Sequence, residues 1–212
     1  MLTVAQARAW YPAFDPVHGF DHILRVYGLC QRIGQAEGAD MDVLLSAALL
    51  HDARGSQPGS HMRNDHHLLS ASFAQQVLEK EYWEPEQIQA VQHCIRAHRY
   101  RNHDAEKPQS LEAKVLFDAD KLDVMGAIGI ARTIAYAIQA QQPYYSEPSP
   151  QFIQSGKTQA GEAHSVYHEY LFKLSKVKDL LFTATGREIA AGRHQFLEQF
   201  FTQLAAEMRN ER

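Results

Sequence analysis

Residues 41–53 read MDVLLSAALLHDA, an apolar run that ends on a histidine and an aspartate. Wound as a helix, the run points Val43, Leu44, Leu45, Ala47, Ala48, Leu49 and Leu50 in nearly every direction. No face is left for water, so the helix has to lie in the middle of a domain. Asp40 stands where an N-cap belongs, and the far end carries His51 and Asp52 into a low-dielectric interior. A buried ionised carboxylate is costly unless it is paired or bound to a metal, so this pair demands a partner.

The rest of the chain supplies helices to surround it. Between Gly19 and about Ala36, Phe20, Ile23, Leu24, Tyr27, Cys30 and Ile33 recur at three- and four-residue spacing, and Gly38 follows as a stop. Further helices are predicted from about Asp65 to Lys80 and from Pro85, suited to a first turn, to about His98. Ser110 caps LEAKVLFDADKLDVMG, which together with GAIGIARTIAYAIQA forms one broken helix or two consecutive ones. Near the C-terminus Phe196, Leu197, Phe200, Phe201, Leu204 and Met208 are expected down one side of a last helix. No stretch alternates with period two, so the fold class is all-α. With 212 residues one domain over 1–212 is expected: a core at 18–140, a long loop at 141–163 of the mobile or lid kind marked by Pro143, Pro148 and Pro150, and C-terminal helices at 164–209.

Composition narrows the function. Lys and Arg number 21 against 25 Asp and Glu, a net charge of -4, so no overall basic field exists to hold a nucleic-acid duplex or an anionic membrane. The apolar run 44–50 is too short to span a bilayer and the stretch 126–138 carries Arg132. No secretory apolar core forms before Arg8, and a cytoplasmic location is expected. Cys30 and Cys94 sit in apolar helical stretches without a CxxC partner and are expected as reduced core thiols. Nothing in the sequence speaks to oligomeric state.

The twelve histidines set the chemical question. His-Asp occurs twice, and context separates the two: His51-Asp52 ends a buried run, whereas His103-Asp104 lies in the polar RNHDAEKP. His22, in GFDHILRV, could join the first pair, as could one of Asp118, Asp120 and Asp123 in FDADKLD. Two imidazoles and two carboxylates form a mixed nitrogen and oxygen site suited to Mn²⁺, Fe²⁺, Co²⁺, Ni²⁺ or Zn²⁺ more than Ca²⁺. His61 and His93 are expected at the surface.

In order, GFDHILRVYGL, AALLHDARG and KVLFDADKLDVMGAIGIAR resemble the H…HD…D signature of the HD-domain metal-dependent phosphohydrolases. The last of these, with KLSKVKDLLFTATGREIAAGRHQFLEQF, is similar to a branch of small bacterial single-domain HD proteins that includes nucleotide pyrophosphohydrolases acting on dNTPs or related nucleotides. The resemblance runs from about residue 18 to 205 and is weakest at 141–165. It implies metal ligation by His22, His51, Asp52 and Asp120, the last chosen because the family's final ligand precedes a step like Lys121-Leu122. It implies one divalent ion, with Mg²⁺ added to the ions above and a second ion allowed, and a small phosphorylated substrate, a nucleotide. Asp52 belongs to the catalytic set as well. Lys121 and Arg54 would neutralise charge on the transferring phosphoryl group, and His66, His67 or His98 would act as general acid. Two rivals remain: an HD-fold di-iron oxygenase, and a catalytically silent nucleotide- or metal-binding module.

Overall fold

The computed structural model describes residues 2–12, 19–55, 64–99 and 106–212, and among them every regular element is helical. The fold is all-α. The helices are α1 (Val4–Arg8), α2 (Phe20–Glu37), α3 (Met41–Leu50), α4 (His66–Lys80), α5 (Pro85–Ala97), α6 (Leu111–Leu122), α7 (Gly126–Gln139), α8 (Pro150–Ser155), α9 (Val166–Phe172) and α10 (Ala184–Met208), with a 3-10 helix at Leu174–Leu180. The chain divides into two compact units: Met1–Asp120 with Phe182–Gly186, and Lys121–Leu181 with Arg187–Arg212.

In the first unit α3 is central, and every residue from Val43 to Leu50 is buried. Asp40 starts it, its carboxylate accepting from the amides of Asp42 and Val43 at 3.0 and 3.2 Å. α3 packs on α2, α4 and α5, while α4 and α5 pack on each other. Gly34 of α2 lies against Leu44 and Met41, where a Cβ would collide with the Leu44 side chain, so the small residue lets the two helices approach. The buried stripe of α2 runs through Ile23, Val26, Cys30 and Ile33. Leu24, expected on that stripe, is 40% exposed, because the helical period carries Ile23 to Val26 and Cys30 and leaves position 24 on the flank. Cys30 and Cys94 are buried free thiols.

Asp118 of α6 is wholly buried and accepts from the amides of Phe182 and Thr183 at 2.9 and 2.7 Å and from the Thr183 hydroxyl at 2.6 Å. It thereby fixes the entry to α10. α1 adds a short turn that the apolar spacing had not announced, closed by a capping box between Thr3 and Gln6.

The second unit begins where α6 ends. The stretch 111–139 is two helices, interrupted at 123–125, and the break is braced by Arg132, whose Nη1 donates to the Asp123 carboxylate at 2.6 Å and to its carbonyl at 3.2 Å. The segment expected as a long loop at 141–163 contains α8, whose N-cap Ser149 accepts from the amide of Phe152. The segment is tied by the Arg209–Glu147 ion pair, by backbone bonds from Val166 and Tyr167 to the Pro143 and Tyr144 carbonyls, and by the Glu162 carboxylate. Glu162 accepts from the Ser149 amide and hydroxyl and from the Gln159 amide, each at 2.7 Å, and from Nε2 of buried His168 at 3.1 Å. Along α10 the buried positions are Gly186, Ala190, His194, Leu197, Phe201 and Ala205, whereas Phe196 and Met208, expected inside, are 47% and 43% exposed. The true stripe follows the 3.6-residue period through small and polar residues that a search for large apolar ones passes over. Among the described residues no helix is long and apolar enough to cross a membrane.

Candidate metal centre

Six side chains of the first unit converge, and helix ends deliver most of them. His51 is the C-cap of α3 and His98 the C-cap of α5. The last carbonyls of a helix lack amide partners, and both histidines turn back to supply a donor: Nδ1 of His51 donates to the carbonyl of Ala48 at 2.8 Å, and Nδ1 of His98 to that of Ile95 at 2.5 Å. With the proton on Nδ1 the lone pair stands on Nε2, the form in which a neutral imidazole ligates a metal. His22 comes from the first turn of α2, His66 opens α4, Asp52 follows His51, and Asp120 lies in the last turn of α6.

The Nε2 atoms of His22 and His51 are 3.3 Å apart, Oδ2 of Asp52 is 3.9 Å from each, and Oδ1 of Asp120 is 3.6 Å from His22 Nε2. On the other oxygen of the same carboxylate, Asp52 Oδ1 lies 3.2 Å from His66 Nε2 and 3.7 Å from His98 Nε2, and those two nitrogens are 3.2 Å apart. Two donor groups, His22 with His51 and Asp52, and Asp52 with His66 and His98, are each compact enough to hold an ion. They share Asp52. Separations of this size suit pairs of bonds of about 2.0–2.2 Å to one centre, and the donor chemistry, imidazole nitrogen with carboxylate oxygen, fits a divalent transition metal.

The electrostatics agree. Burial pushes the His98 imidazole down to about 3 and lowers that of His51, so both stay neutral. Burial alone would raise Asp52, but the His51 and His66 rings beside it hold its carboxyl well below the usual range. An ionised carboxylate beside the neutral imidazoles of His51 and His98, at the negative end of the α3 dipole, is a setting for a cation.

The three acids of FDADKLD part company: Asp118 binds backbone amides, Asp123 binds Arg132, and Asp120 reaches His22. Lys121 follows Asp120 in the last turn of α6, half-buried. Arg54 stacks its guanidinium on Phe73, 3.5 Å from the ring centroid, and donates to the Ala53 carbonyl, while Ser70 Oγ binds both its amide and its carbonyl. His67 lies outside both donor groups, its ring against that of His66. His93, expected at the surface, is instead half-buried, 2.5 Å from the Glu106 carboxylate and accepting from the Gln109 amide, since residues 106–109 lie against that helix. His61, His103 and Asp104 lie outside the described residues. Sequence reasoning passed over Arg99, which contacts His66 Nδ1; standing in a basic loop, it carries no spacing signal that marks it.

Residues 19–125, a span that includes all six converging side chains, match the HD domain family. The chain belongs to the HD-domain family. Among relatives of this HD-domain protein, YpgQ of Bacillus subtilis strain 168, itself uncharacterised, is 32% identical over 205 residues, covering 94% of this chain and 90% of YpgQ. The crystal structure of YpgQ in complex with ADP matches with a TM-score of 0.74 at 30% identity over 97% of both chains. An HD-superfamily hydrolase from Bacillus thuringiensis matches with a TM-score of 0.71 at 26% identity, over 97% of this chain and 94% of its own.

Proposed function

We propose that this HD-domain protein is a divalent-metal-dependent phosphohydrolase acting on a phosphate ester or phosphoanhydride of a nucleotide, with cleavage of a dNTP to dNMP and pyrophosphate as the leading case. The observation that carries the reading is the buried group of His22, His51 and Asp52 with Asp120 beside it, in a family whose solved relatives include HD-superfamily hydrolases. The ADP complex of YpgQ supports a nucleotide as the ligand. One ion held by His22, His51, Asp52 and Asp120 is proposed, and Mn²⁺, Mg²⁺, Co²⁺, Ni²⁺, Fe²⁺ and Zn²⁺ are the candidates. When bound, such an ion supplies Lewis acidity toward a phosphoryl oxygen and acidifies a water.

The protein's own groups would do the rest. Lys121 is a point charge for a phosphate oxygen. Arg54 could serve the same end on leaving Phe73. His98, expected as general acid, is held neutral with its lone pair on Nε2 and suits a proton acceptor instead, which leaves His66, whose Nε2 lies beside it, as the candidate acid. His67, outside both groups, is the least supported of the three. The single domain over residues 1–212 and the cytoplasmic location belong to the same proposal. The second donor group gives the di-iron oxygenase reading its support, and O₂ uptake with an iron-dependent paramagnetic signal would favour it.

The test is a panel of dNTPs, NTPs, 5′-nucleotides and cyclic nucleotides with Mn²⁺, Mg²⁺, Co²⁺ and Ni²⁺, products being separated as pyrophosphate or orthophosphate. Metal-dependent release of pyrophosphate from dNTPs supports the reading. No turnover of any phosphorylated substrate with any of these ions overturns it and leaves the silent module.

A further inference from the structure

Arg99, directly after the C-cap His98, is half-buried and reaches back to the start of α4. Its Nη1 donates to the carbonyl of Asn64 at 2.8 Å, its Nη2 to the Asn64 side-chain oxygen at 3.2 Å, and Nη1 also lies 2.9 Å from Nδ1 of His66. A guanidinium has five donors, no acceptor, and does not deprotonate in proteins. The Nδ1 of His66 must therefore accept, which places the proton of the neutral ring on Nε2. This is the reverse of His51 and His98, whose Nδ1 protons go to helix carbonyls. The Nε2 proton of His66 goes to the Nε2 lone pair of His98 at 3.2 Å, while Asp52 Oδ1, also 3.2 Å away, lies outside hydrogen-bond geometry.

We infer that Arg99 is a positioning residue that locks His66 as a hydrogen-bond donor to His98, so that the second donor group, although compact, lacks the lone pair it needs to take a metal. Metal ligation requires an unprotonated nitrogen. His66 then occupies the lone pair of His98, and Oδ2 of Asp52 stays aimed at His22 and His51. The inference deepens the proposed metal centre: one ion, with exclusion of a second built into a single guanidinium contact.

The test uses the full chain with no substrate, so it does not depend on whether the protein is a hydrolase. Long-range ¹H–¹⁵N spectra of the imidazoles, with His66 assigned by its loss in His66→Gln, report the tautomer in the metal-free protein and again at saturating Zn²⁺. Calorimetry counts Zn²⁺ per chain in the wild type and in Arg99→Met, each checked for helicity. Expected are an Nε2-protonated His66, opposite in pattern to His51 and His98, and one Zn²⁺ per chain, rising to two in Arg99→Met. A His66 protonated on Nδ1, two Zn²⁺ in the wild type, or a folded Arg99→Met that still takes one would each overturn the inference. Zn²⁺ binding by neither protein would sink the metal-centre reading and the exclusion of a second ion with it; the tautomer spectra decide the lock by themselves.

Discussion

Asp52 stands between both donor groups, one oxygen toward His22 and His51 and the other toward His66 and His98. Replacing it removes charge as well as a donor, so Asp52→Ala is expected to lose bound metal and turnover together. Metal analysis after dialysis checks this, and full occupancy in the variant would show the ligand set to be wrong. Lys121→Ala makes a contrasting prediction: metal content and melting nearly unchanged, but kcat/KM lower by about ten- to a thousandfold, the scale of one charge-stabilising donor. Wild-type kinetics in that variant would remove Lys121 from the site. Residue identity was only partly legible in sequence. His51 and Asp52 were marked by the apolar run before them, but Asp118, Asp120 and Asp123 were equivalent as a string. They differ through partners such as the amides of Phe182 and Thr183, which lie far along the chain and leave no trace in local spacing. Tautomers are still less visible, since they follow from the carbonyls of Ala48 and Ile95 and from the guanidinium of Arg99.

Among the elements, α3 was the easiest to foresee because a helix apolar on all sides has one place to go. Its contribution can be measured: Leu49 is fully buried, and Leu49→Ala should cost about 2–5 kcal/mol in chemical denaturation. A cost under about 1 kcal/mol would argue against α3 as the centre of the core. The segment 141–163 was the hardest, since proline content says that a chain leaves a helix and not whether it is tied down. Glu162 is one of the groups that fasten it. Burial opposes that charge, but the Ser149 and Gln159 amides, His168 and the Ser149 hydroxyl hold the carboxyl down to about 2. Because the folded value lies below the ordinary 4.5, the unfolded chain binds more protons between the two. The stabilisation is therefore full above about pH 4.5 and is lost as pH falls toward 2. Glu162→Gln should melt below the wild type at pH 7, with the gap closing as pH is lowered toward 2. A gap that stays constant with pH would mean that the charge of Glu162 does not matter.

For the molecule as a whole, the all-α fold and the HD-domain family were both legible, because helical periodicity and the order of three short motifs survive without any knowledge of contacts. The division into two compact units was not, for it depends on which distant segments meet. The central claim is that His22, His51, Asp52 and Asp120 hold one divalent ion, and anomalous diffraction tests it most directly. Crystals grown with Mn²⁺ and measured at the manganese edge should show one peak per chain at about 2.0–2.3 Å from the Nε2 atoms of His22 and His51 and from carboxylate oxygens of Asp52 and Asp120. A peak ligated instead by Asp52, His66 and His98, or no peak within reach of His51, would contradict it.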